Sequence, residues 1–275
     1  MKKILFPTDF SETANNAFVY VLELAKAFNS EIIVLHVYEL PAISYEGNPI
    51  YASEAFDSVG MNNSESLNKQ IAYLRKIAQE LHFDTLKMSH VIRQGNLIKV
   101  IKSIYKKDKI DLIVMGTNGA SGFIDTFFFF FTGSVLSDVP ASLLCVPAKA
   151  KFNPIQKIAF TTRFRKKDYK ALQQVVAFAG EINAEIKCLY VQTPDSDVKN
   201  EVVEKWKADF KNAPIYFFII PDDDVKATIS DFIVSQEIDV LAMLTYKRSF
   251  FEELFNQSFV KKLSYQIETP LLVFH

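Results

Sequence analysis

Three short stretches carry residues whose types and spacing could do chemistry: PTDFS (Pro7 to Ser11), VYEL (Val37 to Leu40) and MGTNGASG (Met115 to Gly122). Glycines at 116, 119 and 122 remove the Cβ where a backbone approaches a ligand, and let successive N–H groups form an anion cradle. The same glycines serve tight strand-to-helix turns. Asp9 can accept from a ribose hydroxyl or hold a divalent cation, and it can equally cap a helix together with Ser11. On residue type alone both alternatives stand.

Each stretch needs an element to position it. Lys3 to Phe6 reads as a short buried strand, Ala14 to Phe28 as an amphipathic helix and Glu31 to Val37 as a second strand. Further on, the pattern predicts a helix over Leu67 to Leu81, a strand over Thr85 to Ile92, a helix over Leu97 to Tyr105, and strands over Leu112 to Met115 and Leu143 to Val146. Such alternation calls for a doubly wound α/β fold, a parallel sheet with helices on both faces. In that fold ligands bind beyond the carboxyl ends of strands, where the strand order reverses, and the three stretches would lie side by side there.

The chain repeats itself. A shift of 154 lays KILFPTDF (Lys3 to Phe10) on KIAFTTRF (Lys157 to Phe164), and a shift of 128 lays IDLIVMGTNG (Ile110 to Gly119) on IDVLAMLTYK (Ile238 to Lys247). Two tandem domains follow, 1–150 and 151–275. The difference between the shifts assigns 26 additional residues to the first copy, most of them in the Pro-, Gly- and Ser-containing excursion from Leu40 to Ser66.

Composition excludes several classes. With 49% hydrophobic and 23% charged residues and a formal net charge of −1, the chain buries real cores and shows no electrostatic footprint for nucleic acid. The apolar run after Met1 is too short for a signal peptide, and no segment offers eighteen uncharged apolar residues, so the expectation is a cytoplasmic protein without a membrane partner. Cys145 and Cys188 sit in apolar runs and read as reduced core residues; His36 reads as a satisfied core histidine; Asp222 to Asp224 read as a helix cap. Neither a Gly-x-Ser-x-Gly elbow nor a Walker lysine occurs, and no catalytic residue or metal site is assigned.

Taken in order, KILFPTDFS, LHVYE, VMGTNGASG and the closing LLCVP resemble the universal stress protein family, in its tandem two-domain form. The resemblance implies an adenine nucleotide alpha hydrolase-like fold of strand order 3-2-1-4-5, often dimerised through the last strand, in a family with nucleotide-binding and non-binding members. It implies an ATP or other adenine-nucleotide site, with Mg, in the first domain, built from Pro7, Thr8, Asp9, Val37, Met115, Gly116 and Gly119. The binding motif then expects a glycine and a small hydroxyl residue at 129 and 130, where this chain has Phe129 and Phe130; Gly133 and Ser134 stand four positions late. Either the following helix starts one turn later and Gly133 and Ser134 still receive phosphate, or Phe127 to Phe131 close the phosphate region.

The second domain has Arg163 at the Asp9 position and Leu244, Lys247 and Phe250 at the glycine positions, so no nucleotide is expected there. The reading is a non-catalytic stress-response regulator. The alternatives are a protein-interaction module using Phe127 to Phe131 and the Leu40 to Ser66 excursion, or a slow ATPase or phosphotransferase in which Asp9 positions a metal. Last-strand pairing would give either a pseudo-dimer within the chain or a homodimer. Protein partners are not readable.

Overall fold

The computed structural model describes residues 1–38, 68–117, 139, 141–244 and 269–274. The Leu40 to Ser66 excursion, Gly119, Gly133, Ser134, the phenylalanine run and Lys247 with Phe250 lie outside the described residues.

In the first half β1 (Lys3–Pro7), β2 (Glu31–Tyr38), β3 (Met88–Gln94), β4 (Leu112–Thr117) and β5 (Ser142–Pro147) alternate with α1 (Glu12–Phe28), α2 over 68–80 and α3 (Leu97–Asp108). The second half contains β6 (Lys157–Thr161), α4 (Lys166–Ile182), β7 (Glu185–Gln192), α5 (Asn200–Asp209), β8 (Ile215–Pro221), α6 (Val225–Ser235), β9 (Val240–Leu244) and β10 (Leu271–Phe274). β3 begins later than the pattern predicts because Leu86 is held in a turn, its N–H donating to the Phe83 carbonyl at 3.1 Å. β4 and β5 run further than their apolar cores, since Thr117 still pairs with Pro147.

The strands form one sheet in the order β3-β2-β1-β4-β5-β10-β9-β6-β7-β8. Each half therefore has the order 3-2-1-4-5, and the two meet at β5 and β10, the one antiparallel pairing among the described residues, with Leu144 facing Leu272. The last strands thus pair within the chain. The ladders repeat in register: Lys3 with Glu31 recurs as Lys157 with Glu185, and Gly116 with Val146 as Leu244 with Phe274. So does an anchor at the amino end, where Asp111 accepts the Lys2 and Lys3 N–H groups at 2.7 and 3.0 Å, and Asp239 those of Gln156 and Lys157 at 2.9 and 2.8 Å.

Strand alternation sends Ile4 and Phe6 to one face of the sheet and Leu5 to the other. α1, α2, α4 and α5 cover the first face, and α3 and α6 the second. The first core runs unbroken across the junction, with Phe28 of α1 edge-on to Phe178 of α4 at 5.1 Å. Both cysteines are free and buried, and burial pushes the Cys145 thiol up to about 12. Among the described residues no helix is long and apolar enough to cross a membrane.

Candidate functional site

The order reversal of the first half lies between β1 and β4, because the chain steps from β1 to β2 and β3 on one side and from β4 to β5 on the other. The turn after β1 borders this crevice, and its polar groups divide into two sets. Thr8, only 6% exposed, is engaged inward: its N–H donates to the Leu35 carbonyl at 2.8 Å, and its Oγ1 accepts the Phe10 N–H at 2.9 Å. Its carbonyl accepts from His36 Nδ1 at 2.8 Å, which fixes the imidazole proton on Nδ1. Asp9, by contrast, is exposed, with one carboxylate oxygen accepting the Ser11 N–H at 3.0 Å. Ser11 is the α1 N-cap, its Oγ accepting the Ala14 N–H at 3.2 Å.

Phe10 sits at φ 61°, a conformation that non-glycine residues adopt only when the surroundings enforce it, at a cost of about 1–3 kcal/mol. The Thr8 hydroxyl and a ring contact with His36 at 5.0 Å supply that enforcement. His36 is therefore satisfied and half-buried, and it works as the brace of the turn. Phe10 and His36 were not among the expected site residues, although the repeat places Phe10 on Phe164 and so marked the position.

Pro7 and Met115 are buried and give the site backbone and packing; Val37, half-buried at the end of β2, gives it an apolar side chain. Gly116 has a reason of its own. A Cβ there would stand 2.6 Å from the Thr13 carbonyl oxygen, so the glycine admits the first turn of α1 against β4. Pro7, Thr8, Asp9, Val37, Met115 and Gly116 thus gather along one carboxyl edge of β2, β1 and β4.

The second half repeats the scaffold and changes its chemistry. Phe164 sits at φ 55°, the Thr162 Oγ1 accepts its N–H at 2.8 Å, and the Thr162 N–H donates to the Leu189 carbonyl at 3.0 Å. Arg163 replaces Asp9, so a cation stands where the first half has an anion. Arg165 replaces the capping Ser11, and Asp168 takes over from inside the helix: fully buried, it accepts from Arg163 N at 2.7 Å, Arg165 N at 3.1 Å and the Thr162 hydroxyl at 3.2 Å. Burial pushes the Asp168 carboxyl above its ordinary value, against these hydrogen bonds, which favour the charged form.

Leu244, 5% exposed, fills the Gly116 position. A cavity of about 340 Å3 remains at these strand ends, walled by Leu189, Val191, Val225 and Leu244 and rimmed by the Arg165–Asp197 ion pair. A smaller one of about 260 Å3 lies at the opposite end of the first half's strands, beside Ile32 and Met88, away from the turns.

The sequence profile of the universal stress protein family matches residues 1–147. A universal stress protein of Methanocaldococcus jannaschii is 31% identical over 124 residues, 44% of this chain and 67% of its own length. Another from the same organism is 28% identical over 162 residues, 54% of this chain and 96% of its own. The crystal structure of a universal stress protein from Archaeoglobus fulgidus superimposes over 99% of this chain and 97% of its own with a TM-score of 0.70 at 16% identity, a likeness of fold.

Proposed function

The chain belongs to the universal stress protein family, and from that premise we propose that it is a cytoplasmic, non-catalytic stress-response regulator that binds one adenine nucleotide, with magnesium, in residues 1–150 and none in residues 151–275. The observation that carries this reading is one turn built twice with opposite chemistry. Phe10 and Phe164 share the left-handed conformation and Thr8 and Thr162 the same hydrogen bonds, yet the second copy has Arg163 in place of Asp9 and Leu244 in place of Gly116. The scaffold is common, and the ligand chemistry is confined to one copy.

The residues of the first half fit such a ligand. The exposed Asp9 carboxylate suits ribose hydroxyls or a divalent cation, and Val37 offers an apolar surface for a base. Thr8 would act through the turn, since its groups are engaged there. A bound nucleotide would work by favouring one conformation or assembly over another. The test is calorimetric titration of ATP with magnesium into the full chain, after a denatured sample has been checked for carried-over nucleotide. Binding near one per chain is expected, weakened about 10- to 100-fold by Asp9→Ala through loss of a charged hydrogen-bond acceptor. No heat and no carried-over nucleotide would reject the reading.

A further inference from the structure

The cavity of about 340 Å3 in the second half lies where this fold places ligands, beyond the carboxyl ends of β6, β7 and β9 at that half's order reversal between β6 and β9. Its volume reaches the roughly 300 Å3 at which small-molecule sites begin. Leu189, Ile229 and Leu244 are buried around it and Val191 and Val225 half-buried, so its walls are aliphatic. Leu244 is the wall that the first copy lacks, having Gly116 there.

The mouth of the cavity is charged. Arg163 and Arg165 stand there, at the positions of Asp9 and Ser11 in the first copy. The hydrogen bonds that hold the turn come from their backbone N–H groups, which donate to Asp168, and so leave the choice of two arginines unexplained. The segment after β7 brings Asp195 and Asp197 to the same mouth, with the Asp197 carboxylate on the Arg165 guanidinium. A hydrogen bond between the Tyr190 and Ser196 hydroxyls ties that segment to β7 independently of the ion pair. The Arg165 and Asp197 side chains are 51% and 66% exposed, and a pair so open to water holds weakly.

We propose that this cavity binds a small apolar monocarboxylate, its body against the aliphatic walls and its carboxylate on Arg165 in place of Asp197. The walls reward an apolar body by removing its surface from water. The charge count selects a monoanion. One carboxylate exchanges for another at Arg165, whereas a polyphosphate would set several negative charges beside Asp195, Asp197 and the buried Asp168. Asp197 is then a competitor built into the chain, occupying the anion position until a ligand carboxylate displaces it. The second copy thereby keeps the ligand position of the fold and changes what it takes.

Titration of octanoate into the full chain, followed by methyl NMR, tests this. Saturable binding at one per chain should shift the methyl resonances of Leu189, Val191, Val225 and Ile229 and leave those of Ile32 and Met88, beside the other cavity, in place. Octanamide, the neutral counterpart, should bind about 10- to 100-fold more weakly, as should octanoate to Arg165→Gln. Asp197→Asn should tighten octanoate about two- to fivefold by removing the competitor, and should have no such effect once Arg165 is glutamine. That dependence of one substitution on the other separates competition at Arg165 from a general loosening of the segment. Both side chains are exposed, so the variants should remain folded. Absence of saturable binding at millimolar octanoate, equal binding of octanamide, an Asp197→Asn affinity equal to the parent's, or displacement of octanoate by ATP would each overturn the proposal.

Discussion

Replacing Gly116 by alanine adds one methyl group at the tightest approach between α1 and β4. The new Cβ would stand 2.6 Å from the Thr13 carbonyl oxygen, 2.9 Å from its carbonyl carbon and 3.0 Å from its Cγ2, where ordinary contact begins near 3.4 Å. Two of these atoms are backbone of the first turn, so relief requires α1 to retreat by about 0.8 Å. That turn is tied by the Ser11 cap to Ala14 and by the Asn15 N–H to the Ser11 carbonyl at 2.9 Å, and cannot retreat alone. Overpacking of this kind costs about 1–3 kcal/mol, a Tm loss of roughly 2 to 12 °C in a chain of this size. Thermal unfolding followed by circular dichroism measures it, with Gly180→Ala as control: nothing stands within 4 Å of a Cβ at Gly180 in α4, so that variant should gain about 0.5–1 kcal/mol. A Gly116→Ala protein as stable as the parent would refute the packing argument.

Asp168→Ala should destabilise by about 3 kcal/mol or more, because the Thr162 hydroxyl and the Arg163 and Arg165 amides lose their buried acceptor; urea unfolding measures this. Since burial raises the folded Asp168 carboxyl above the ordinary aspartate value, the stability linked to its protonation is full below that ordinary value and is lost as pH rises through the folded one. The stability of the parent relative to Asp168→Asn should accordingly fall with pH over that window. Phe28→Ala, which removes a first-half ring packed on Phe178, should cost about 3–5 kcal/mol and lower the unfolding midpoint reported by Trp206, the chain's one tryptophan, in the second half. An unmoved Trp206 midpoint would mean that the halves unfold separately. Neither Cys145 nor Cys188 should react with a thiol reagent at pH 8 until denaturant is added, since burial pushes both thiols up.

The repeat and the buried strands were legible because both leave local marks: the shifts of 154 and 128 reappear as identical ladder registers in the two halves. The β5–β10 junction was not legible, because a strand edge reads the same whether its partner lies in its own chain or in another. Asp9 and Ser11 showed themselves by type, but the reason for Gly116 did not, since it depends on how closely Thr13 approaches from a helix about a hundred positions earlier in the chain. Asp168 was hidden for a similar reason. A carboxylate in the first turn of a helix reads as an exposed dipole partner, and only the fold shows it turned inward to hold the strand-one turn in place of the missing serine cap. His36 looked like a core residue, but it is half-buried, and what it braces is the rim of the site.

The central claim is that one scaffold carries ligand chemistry in its first copy alone. The most direct measurement is a titration of ATP with magnesium into the parent and into Asp9→Arg, which writes the second copy's residue into the first. Arg163 shows that the turn accommodates arginine, so the variant should remain folded. The account predicts binding near one per chain in the parent and none in Asp9→Arg. Two sites per chain, or a single site that survives Asp9→Arg, would contradict it.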